Sequence, residues 1–372
     1  MYHLALPLLI GLIIVALGFD FLNGLHDAAN SIATVVGTRL ISPVAAVAFA
    51  AFFNFAAYFL ALKWPALHNV ADTIGKGLID KDMVTPAVVF GALIGAMFWN
   101  VVTWIRGIPS SSSHALVGGI IGAGVAHAGF PSIQWLGLNK TLVAIVLSPV
   151  LGLVLTMALM LLTSWLGIRA SARGAERTFR GLHLVSSGTL SLSHGLNDAQ
   201  KTMGLISVLL YSTGHLHGHF AVPNWVALSC YIAMGLGTLT GGWRVIETMG
   251  TKITKLSQHQ AFSASAAGSI MLFAASWLGI PVSTTHTMTG CVIGAGAARR
   301  ASAVRWGVAR SVAIAWVITI PASATVAAIF YWLISGDFLR VLIAVAIIGA
   351  VAVATRAWRV RTEGAERARS VR

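Results

Sequence analysis

The sequence predicts an all-α fold: a polytopic membrane helix bundle of two inverted repeats, with broken or re-entrant helices at the centre. Three observations carry this. Of 372 residues, 57% are hydrophobic and only 10% charged, against about 25% charged in an average soluble protein. Apolar runs near the ~20 residues that span a bilayer recur at 4–22, 43–62, 85–104, 141–166, 223–243, 262–280, 311–333 and 338–355. Two polar motifs each occur twice, at offsets of 171 and 172 residues.

So little charge could not cover a soluble surface, which excludes an ordinary cytosolic enzyme and a disordered chain. Stretches such as Val341 to Val353 lack the alternation of a β-barrel strand. Met1-Tyr2-His3 places no Lys or Arg before the first apolar run, which is therefore read as a span, not a secretory signal. The formal charge is +14, but the arginines cluster between and after spans: Arg169 to Arg180, Arg299 to Arg310, and Arg356 to Arg372. The positive-inside tendency accounts for them, so no nucleic-acid partner is expected. Cys230 and Cys291 lie in apolar segments as small core residues and imply no disulfide framework.

The repeats set the organisation. Gly107-Ile108-Pro109-Ser110-Ser111-Ser112-Ser113-His114 returns as Gly279-Ile280-Pro281-Val282-Ser283-Thr284-Thr285-His286, and 11 of 20 positions from Gly107 to Ala126 equal their mates. Asn23-Gly24-Leu25-His26-Asp27-Ala28-Ala29-Asn30 matches His194-Gly195-Leu196-Asn197-Asp198-Ala199-Gln200-Lys201. The chain thus reads as one transmembrane domain holding two copies, 4–166 and 181–335, an extra span at 338–356 and a basic tail at 357–372. Equivalent loops differ in charge. Residues 127–140 hold one basic residue and their mates 299–312 hold four; residues 72–83 sum to −1 and 244–255 to +2. Equivalent loops then lie on opposite faces, which requires an odd number of crossings per copy. Five are expected: 4–41 (broken), 43–62, 85–104, 107–126 and 141–166, with the C-terminus in the cytoplasm. Inverted repeats are a recurrent transporter design, with substrate held near the midplane.

Three acidic residues, Asp20, Asp27 and Asp198, fall inside apolar segments. An ionisable group there is costly unless it meets a partner or a wet cavity. Asp27 and Asp198 are mates, so the cost recurs; Asp20 is matched by Ser191. Asn23-Gly24 and Gly195 predict a helix break at each Asp. A break frees carbonyls, which suit a cation, and N–H groups, which suit an anion. Asn30, Asn197 and Gln200 add neutral donors and acceptors. Lys201 has two readings, a salt bridge to Asp198 or direct contact with an anionic substrate. His26 also has two, a proton carrier or a hydrogen-bonding group.

Pro109 and Pro281 are expected to open helices whose first turns carry Ser110, Ser111, Ser112 and Ser113, and Ser283, Thr284 and Thr285. Hydroxyls and free N–H groups at a helix N-terminus form an anion site. Helix capping alone needs one serine, not four, so anion binding is the favoured reading. His114 and His286 are expected to hydrogen-bond the adjoining loop. Arg106 attracts anions or snorkels. His215, His217 and His219 alternate in a loop, where weak metal binding competes with simple mobility.

At these motifs the sequence resembles the Pit-type inorganic phosphate transporter family, most closely its bacterial low-affinity permease branch. Gly242-Trp243-Arg244 and Ala315-Trp316-Val317 add to the likeness. The resemblance implies symport of inorganic phosphate with a cation, arsenate as an analogue, a multi-pass protein of the inner (plasma) membrane, and no enzyme activity. It implies that Asp27, Asn30, Asn197, Asp198 and the hydroxyls of Ser110 to Ser113 and Ser283 to Thr285 build the phosphate and cation sites. Gln200 and Lys201 join the phosphate set, and His26 the coupling set. His26-Asp27, where sodium-coupled members read Asn-Asp, implies proton coupling and phosphate carried as a neutral metal complex; sodium coupling is the alternative. No cofactor and no resident metal are expected, and a homodimer is allowed. Another tetrahedral oxyanion such as sulfate, and more remotely an intramembrane Ser/His hydrolase, are the competing readings.

Overall fold

The computed structural model describes residues 5–64, 67, 69–79, 83–216 and 220–336. The expected extra span at 338–356, the tail at 357–372, His217 and His219 lie outside them. Among the described residues the long elements are helices: α1 (Leu6–Gly37), α2 (Pro43–Lys63), α3 (Asn69–Gly77), α4 (Pro86–Arg106), α5 (Ser112–Ala128), α6 (Trp135–Leu166), α7 (Ala172–Ser212), α8 (Asn224–Thr240), α9 (Trp243–Glu247), α10 (Gln258–Trp277), α11 (Thr284–Arg299) and α12 (Trp306–Ile334). α9 runs on into a π-helical turn, Thr248–Lys252. Helices α1, α2, α4, α6 and α12 are long and apolar enough to cross a membrane, and α8 with the segment after it, bent by 68°, makes a sixth candidate. The protein is a multi-pass membrane helix bundle.

Local chemistry explains the starts. Ser42 accepts the Ala45 N–H at 3.3 Å with Pro43 at the first helical position, and Thr85 accepts Val88 N–H at 3.2 Å with Pro86 there. Ser257 and Gln260 form a capping box at α10. α4 ends on Gly107 and α10 just before Gly279, at φ 65° and 66°. Ile108 N–H then bonds back to Thr103 carbonyl at 3.0 Å and Ile280 N–H to Ala275 carbonyl at 2.9 Å. These are matched left-handed helix ends, which glycine adopts without Cβ strain. The chain restarts at Ser112 and Thr284, giving the two central breaks.

Two expectations are corrected here. Pro109 and Pro281 do not open α5 and α11. Were each the first helical residue, Ile108 and Ile280 would be the N-caps, and isoleucine has no side-chain acceptor. Ser111 and Ser283 cap instead, accepting N–H from His114 at 3.2 Å and His286 at 3.1 Å. Nor do the helices break at Asp27 and Asp198. α1 runs unbroken through 32 residues and α7 through 41. The glycines there serve close packing. A Cβ on Gly24 would lie 2.2 Å from Met234 carbonyl oxygen, and one on Gly195 2.6 Å from that of Asn54.

The helices pair reciprocally. α1 packs on α8 and α7 on α2; α5 packs on α12 and α11 on α6. Gly122 meets Ala324 of α12, and Gly294, its mate, meets Leu153 of α6. Small residues at such crossings let backbones approach, which is how helices associate where lipid removes the hydrophobic drive. Large apolar side chains such as Val146, Leu161, Val317 and Phe52 face outward. Polar side chains gather inside, around α1, α7 and the starts of α5 and α11.

Candidate functional site

The polar stretches of α1 and α7 face the N-terminal turns of α5 and α11. Asp27 Oδ2 accepts from Ser112 Oγ at 2.7 Å, and its Oδ1 from Thr285 Oγ1 at 3.4 Å. Asp198 Oδ2 accepts from Thr284 Oγ1 at 3.1 Å. Ser112 and Thr284 are mates, serving mated carboxylates. Asn30 Nδ2 donates to Thr284 and Thr285 hydroxyls at 3.0 Å each. Its mate Lys201 donates to Ser113 Oγ at 2.5 Å, to Val282 carbonyl at 3.0 Å and to Asp198 Oδ1. The salt bridge to Asp198 is therefore present, and the same ammonium also holds a hydroxyl of the opposite cluster.

His26 spans the site. Its Nδ1 lies 2.7 Å from Asp27 Oδ1, and its Nε2 lies 3.3 Å from Thr103 Oγ1 and 3.4 Å from Ser110 Oγ. Ser110 donates to Thr103 at 2.8 Å. Across the centre, His194 Nε2 lies 3.2 Å from Asp198 Oδ2 while its Nδ1 lies 3.2 Å from Asn54 Oδ1. One ligand atom each from Asp27, His194 and Asp198 fall within 4.8 Å of one another, which is room for a cation. All three are sealed from solvent: Asp27 is 1% exposed, and His194 and Asp198 are 0%.

Some expected residues stand apart. Ser111 and Ser283 spend their hydroxyls on capping. Gln200 is corrected from a phosphate ligand to a helix cap. Its Oε1 accepts Val70 and Ala71 N–H groups at 3.1 and 3.4 Å, and its Nε2 donates to Leu67 and Leu196 carbonyls, so its amide is fully used at the start of α3. Asn197 donates to Ser276 at 3.4 Å instead of reaching the carboxylates. His114 and His286 are not hydrogen-bonded to the loop through their rings; they pack edge to face, centroids 4.1 Å apart, and His286 stacks on Trp316 at 3.8 Å. Matched residues in contact must lie where the two clusters meet. His215 Nδ1 turns to Thr213 Oγ1 at 3.1 Å, and Arg106 is exposed at the end of α4.

Sequence reasoning missed His194, Thr103 and Asn54. His194 had a signal, standing four residues before Asp198 and so on the same helix face. Thr103 and Asn54 had none; each is one of very few polar residues in an apolar helix, and only packing shows that it faces the centre.

The sequence model of the phosphate transporter family matches residues 23–175 and 168–327. A relative from Rhizobium meliloti (strain 1021), named a probable low-affinity inorganic phosphate transporter, is 60% identical over 88% of this chain and 97% of its own. One of the same name from Bacillus subtilis (strain 168) is 40% identical over 90% of this chain and 99% of its own. A solved structure described as the sodium-dependent phosphate transporter superposes with a TM-score of 0.79 at 27% identity, covering 89% of this chain and 99% of that one. These are transport proteins rather than enzymes. The chain belongs to the phosphate transporter family.

Proposed function

We propose that this protein is a secondary active symporter that takes up inorganic phosphate with protons. The observation that carries the reading is the central network: two buried carboxylates, Asp27 and Asp198, and one lysine, Lys201, roofed by the hydroxyls of Ser112, Ser113, Thr284 and Thr285. Hydroxyls at two facing helix starts, together with Lys201, suit a tetrahedral oxyanion. The charges demand a companion. Two carboxylates and one ammonium leave one negative charge before phosphate adds between one and two more. Moving those charges inward against the membrane potential costs about 2.3 kcal/mol each per 100 mV. Each cation carried with phosphate offsets one of these charges.

A proton is the cation favoured. Histidine is the side chain that changes charge near neutral pH, and His26 is bonded to Asp27 on one side and to the Ser110–Thr103 pair on the other. Burial of the whole network means that neither membrane face reaches it in this conformation, so transport proceeds by alternating access. The reciprocal helix pairings support two copies of inverted topology, 4–166 and 181–335, as the moving halves. We place the protein in the inner membrane, with its C-terminus in the cytoplasm.

Sodium coupling is the second reading, favoured by the solved relative described as sodium-dependent and by the cation-sized gathering of Asp27, His194 and Asp198. The same three ligand atoms would accept the metal of a neutral metal–phosphate cargo.

Uptake of radiolabelled phosphate into proteoliposomes tests the reading, with an inward proton or sodium gradient imposed in turn. Proton-driven accumulation that Asp27→Asn abolishes supports it. Sodium-driven accumulation overturns the coupling, and no uptake by folded protein under either gradient overturns the substrate.

A further inference from the structure

Asp20 takes no part in the network just described. It sits on α1 and is 0% exposed. Neither carboxyl oxygen has a hydrogen-bond partner. The polar side chains that face it are Asn23 of α1, Thr202 of α7 and Cys230 of α8, which approach the carboxyl without completing a hydrogen bond of normal geometry. Thr202 Oγ1 and Asn23 Oδ1 are also unpartnered. Tyr231, beside Cys230, is the other ionisable group on α8 near it. α4, which also packs on α1, carries one ionisable residue, Arg106, at its far end. From α7 the ionisable group that reaches it is Asp198, of like charge, whose own counter-charge is Lys201. Among the described residues no basic group compensates Asp20.

An ionised carboxylate so placed would be a bare buried charge, which proteins avoid by neutralising the group or pairing it. A metal or sodium ion is a poor candidate for the neutralising partner. α1, α7 and α8 are continuous helices at this level, so their backbone carbonyls are used internally. Asp20, Asn23 and Thr202 alone offer too few oxygens for a cation that takes five or six. A proton needs only the carboxyl.

We propose that Asp20 is a second proton-binding carboxyl of the transport cycle, protonated in the conformation described and deprotonated in another; this rests on the proton-coupled reading above. Asp20 and Asp27 are seven residues apart on one face of α1, about 10 Å along the axis, with Asn23 between them. α8 seals Asp20, crossing α1 so closely that a Cβ on Gly237 would lie 2.0 Å from Phe21 carbonyl oxygen. Movement of α8 against α1 admits water to the carboxyl. The O–H bond then breaks, the proton passes to that water, and the carboxylate left behind is hydrated. Binding of the next proton from the opposite side resets the site. The mate of Asp20 is Ser191, bonded to its own helix at Ser187 carbonyl, so this site belongs to one half alone.

Two measurements test it. In proteoliposomes, Asp20→Asn is expected to keep phosphate–phosphate exchange within about threefold of wild type and to lose at least tenfold in accumulation driven by a pH gradient. Infrared difference spectra of the wild-type protein are expected to show a protonated carboxyl without a hydrogen bond, whose band shifts in Asp20→Glu; this measurement survives even if Asp20→Asn fails to fold. Unchanged pH-driven accumulation in Asp20→Asn overturns the proposal, as does a wild-type spectrum without that band. A band that sodium removes at constant pH also overturns it, in favour of a sodium site. If the wild type itself accumulates phosphate only with sodium, the coupling reading falls first, and the two failures are told apart by the wild-type control.

Discussion

Lys201 of α7 donates to Ser113 at the start of α5 across 2.5 Å while holding Asp198 one turn back on its own helix. A single buried ammonium thus joins the two halves of the site. Removing it strands a carboxylate at 0% exposure. Breaking one side of a buried ion pair costs about 3–5 kcal/mol, whereas replacing both partners is often near neutral. Lys201→Met should therefore lower the thermal unfolding temperature in detergent markedly, and Lys201→Met with Asp198→Asn should recover most of it. Both variants should lose uptake. Equal destabilisation in single and double variants would show that the pair is not what holds Lys201.

The crossing of α5 and α12 gives an independent test of the packing. A Cβ on Gly122 would fall 2.0 Å from Ala324 carbonyl oxygen, against backbone that cannot yield cheaply. Overpacking of this kind costs about 1–3 kcal/mol. Gly122→Ala and its mate Gly294→Ala should each reduce the yield of folded protein and its melting temperature. Gly307→Ala, with nothing within 4 Å of the added atom, should change neither. Size-exclusion profiles and thermal melts of the three variants decide it.

What could be read in the sequence was what repeats. Asp27 and Asp198, Ser112 and Thr284, and Asn30 and Lys201 recur in register, and all six side chains belong to the central hydrogen-bond network. The helix-bundle class followed from composition and the recurring apolar runs of membrane-spanning length. What could not be read was direction. Gly24 and Gly195 look like helix breakers, yet they serve close helix contact, because a glycine in sequence does not say what lies opposite it. Gln200 stands beside Lys201, but one residue is about 100° around a helix, and that rotation sends its amide to α3. Thr103 and Asn54 reach the site only through the packing of α4 and α2.

Substrate choice follows from the carboxylates. Asp27 and Asp198 accept hydrogen bonds, so an anion that keeps a proton can bond them and one without cannot. A site built around such a bond rejects the analogue lacking it, by about 10⁴-fold or more in the strongest cases. Arsenate, protonated like phosphate, should compete for uptake at comparable concentration. Sulfate should not compete even in large excess. Competition assays in proteoliposomes at neutral pH measure both, and inhibition by sulfate equal to that by arsenate would mean that the carboxylates do not face the anion.

Gln200 and Ser112 separate support from contact. Gln200 holds the start of α3 through three hydrogen bonds, makes a fourth to Leu196 of its own helix, and touches none of the central hydroxyls. Its replacement by alanine leaves buried N–H and carbonyl groups unpaired, at about 1–3 kcal/mol. Gln200→Ala should therefore lower the melting temperature while leaving the KM for phosphate within about twofold, since the site it was expected to join is intact. Ser112→Ala should behave in the opposite way. On the proposed function it removes a hydroxyl that bonds the anion, so the loss of a hydrogen bond to a charged group, about 1.5–3 kcal/mol, should appear as a KM raised by roughly 10- to 100-fold. Its fold should hold, because Ser111, not Ser112, caps α5. Initial-rate uptake and thermal melts of the same two preparations give both quantities. A raised KM in Gln200→Ala with an unchanged melt would return that residue to the phosphate site.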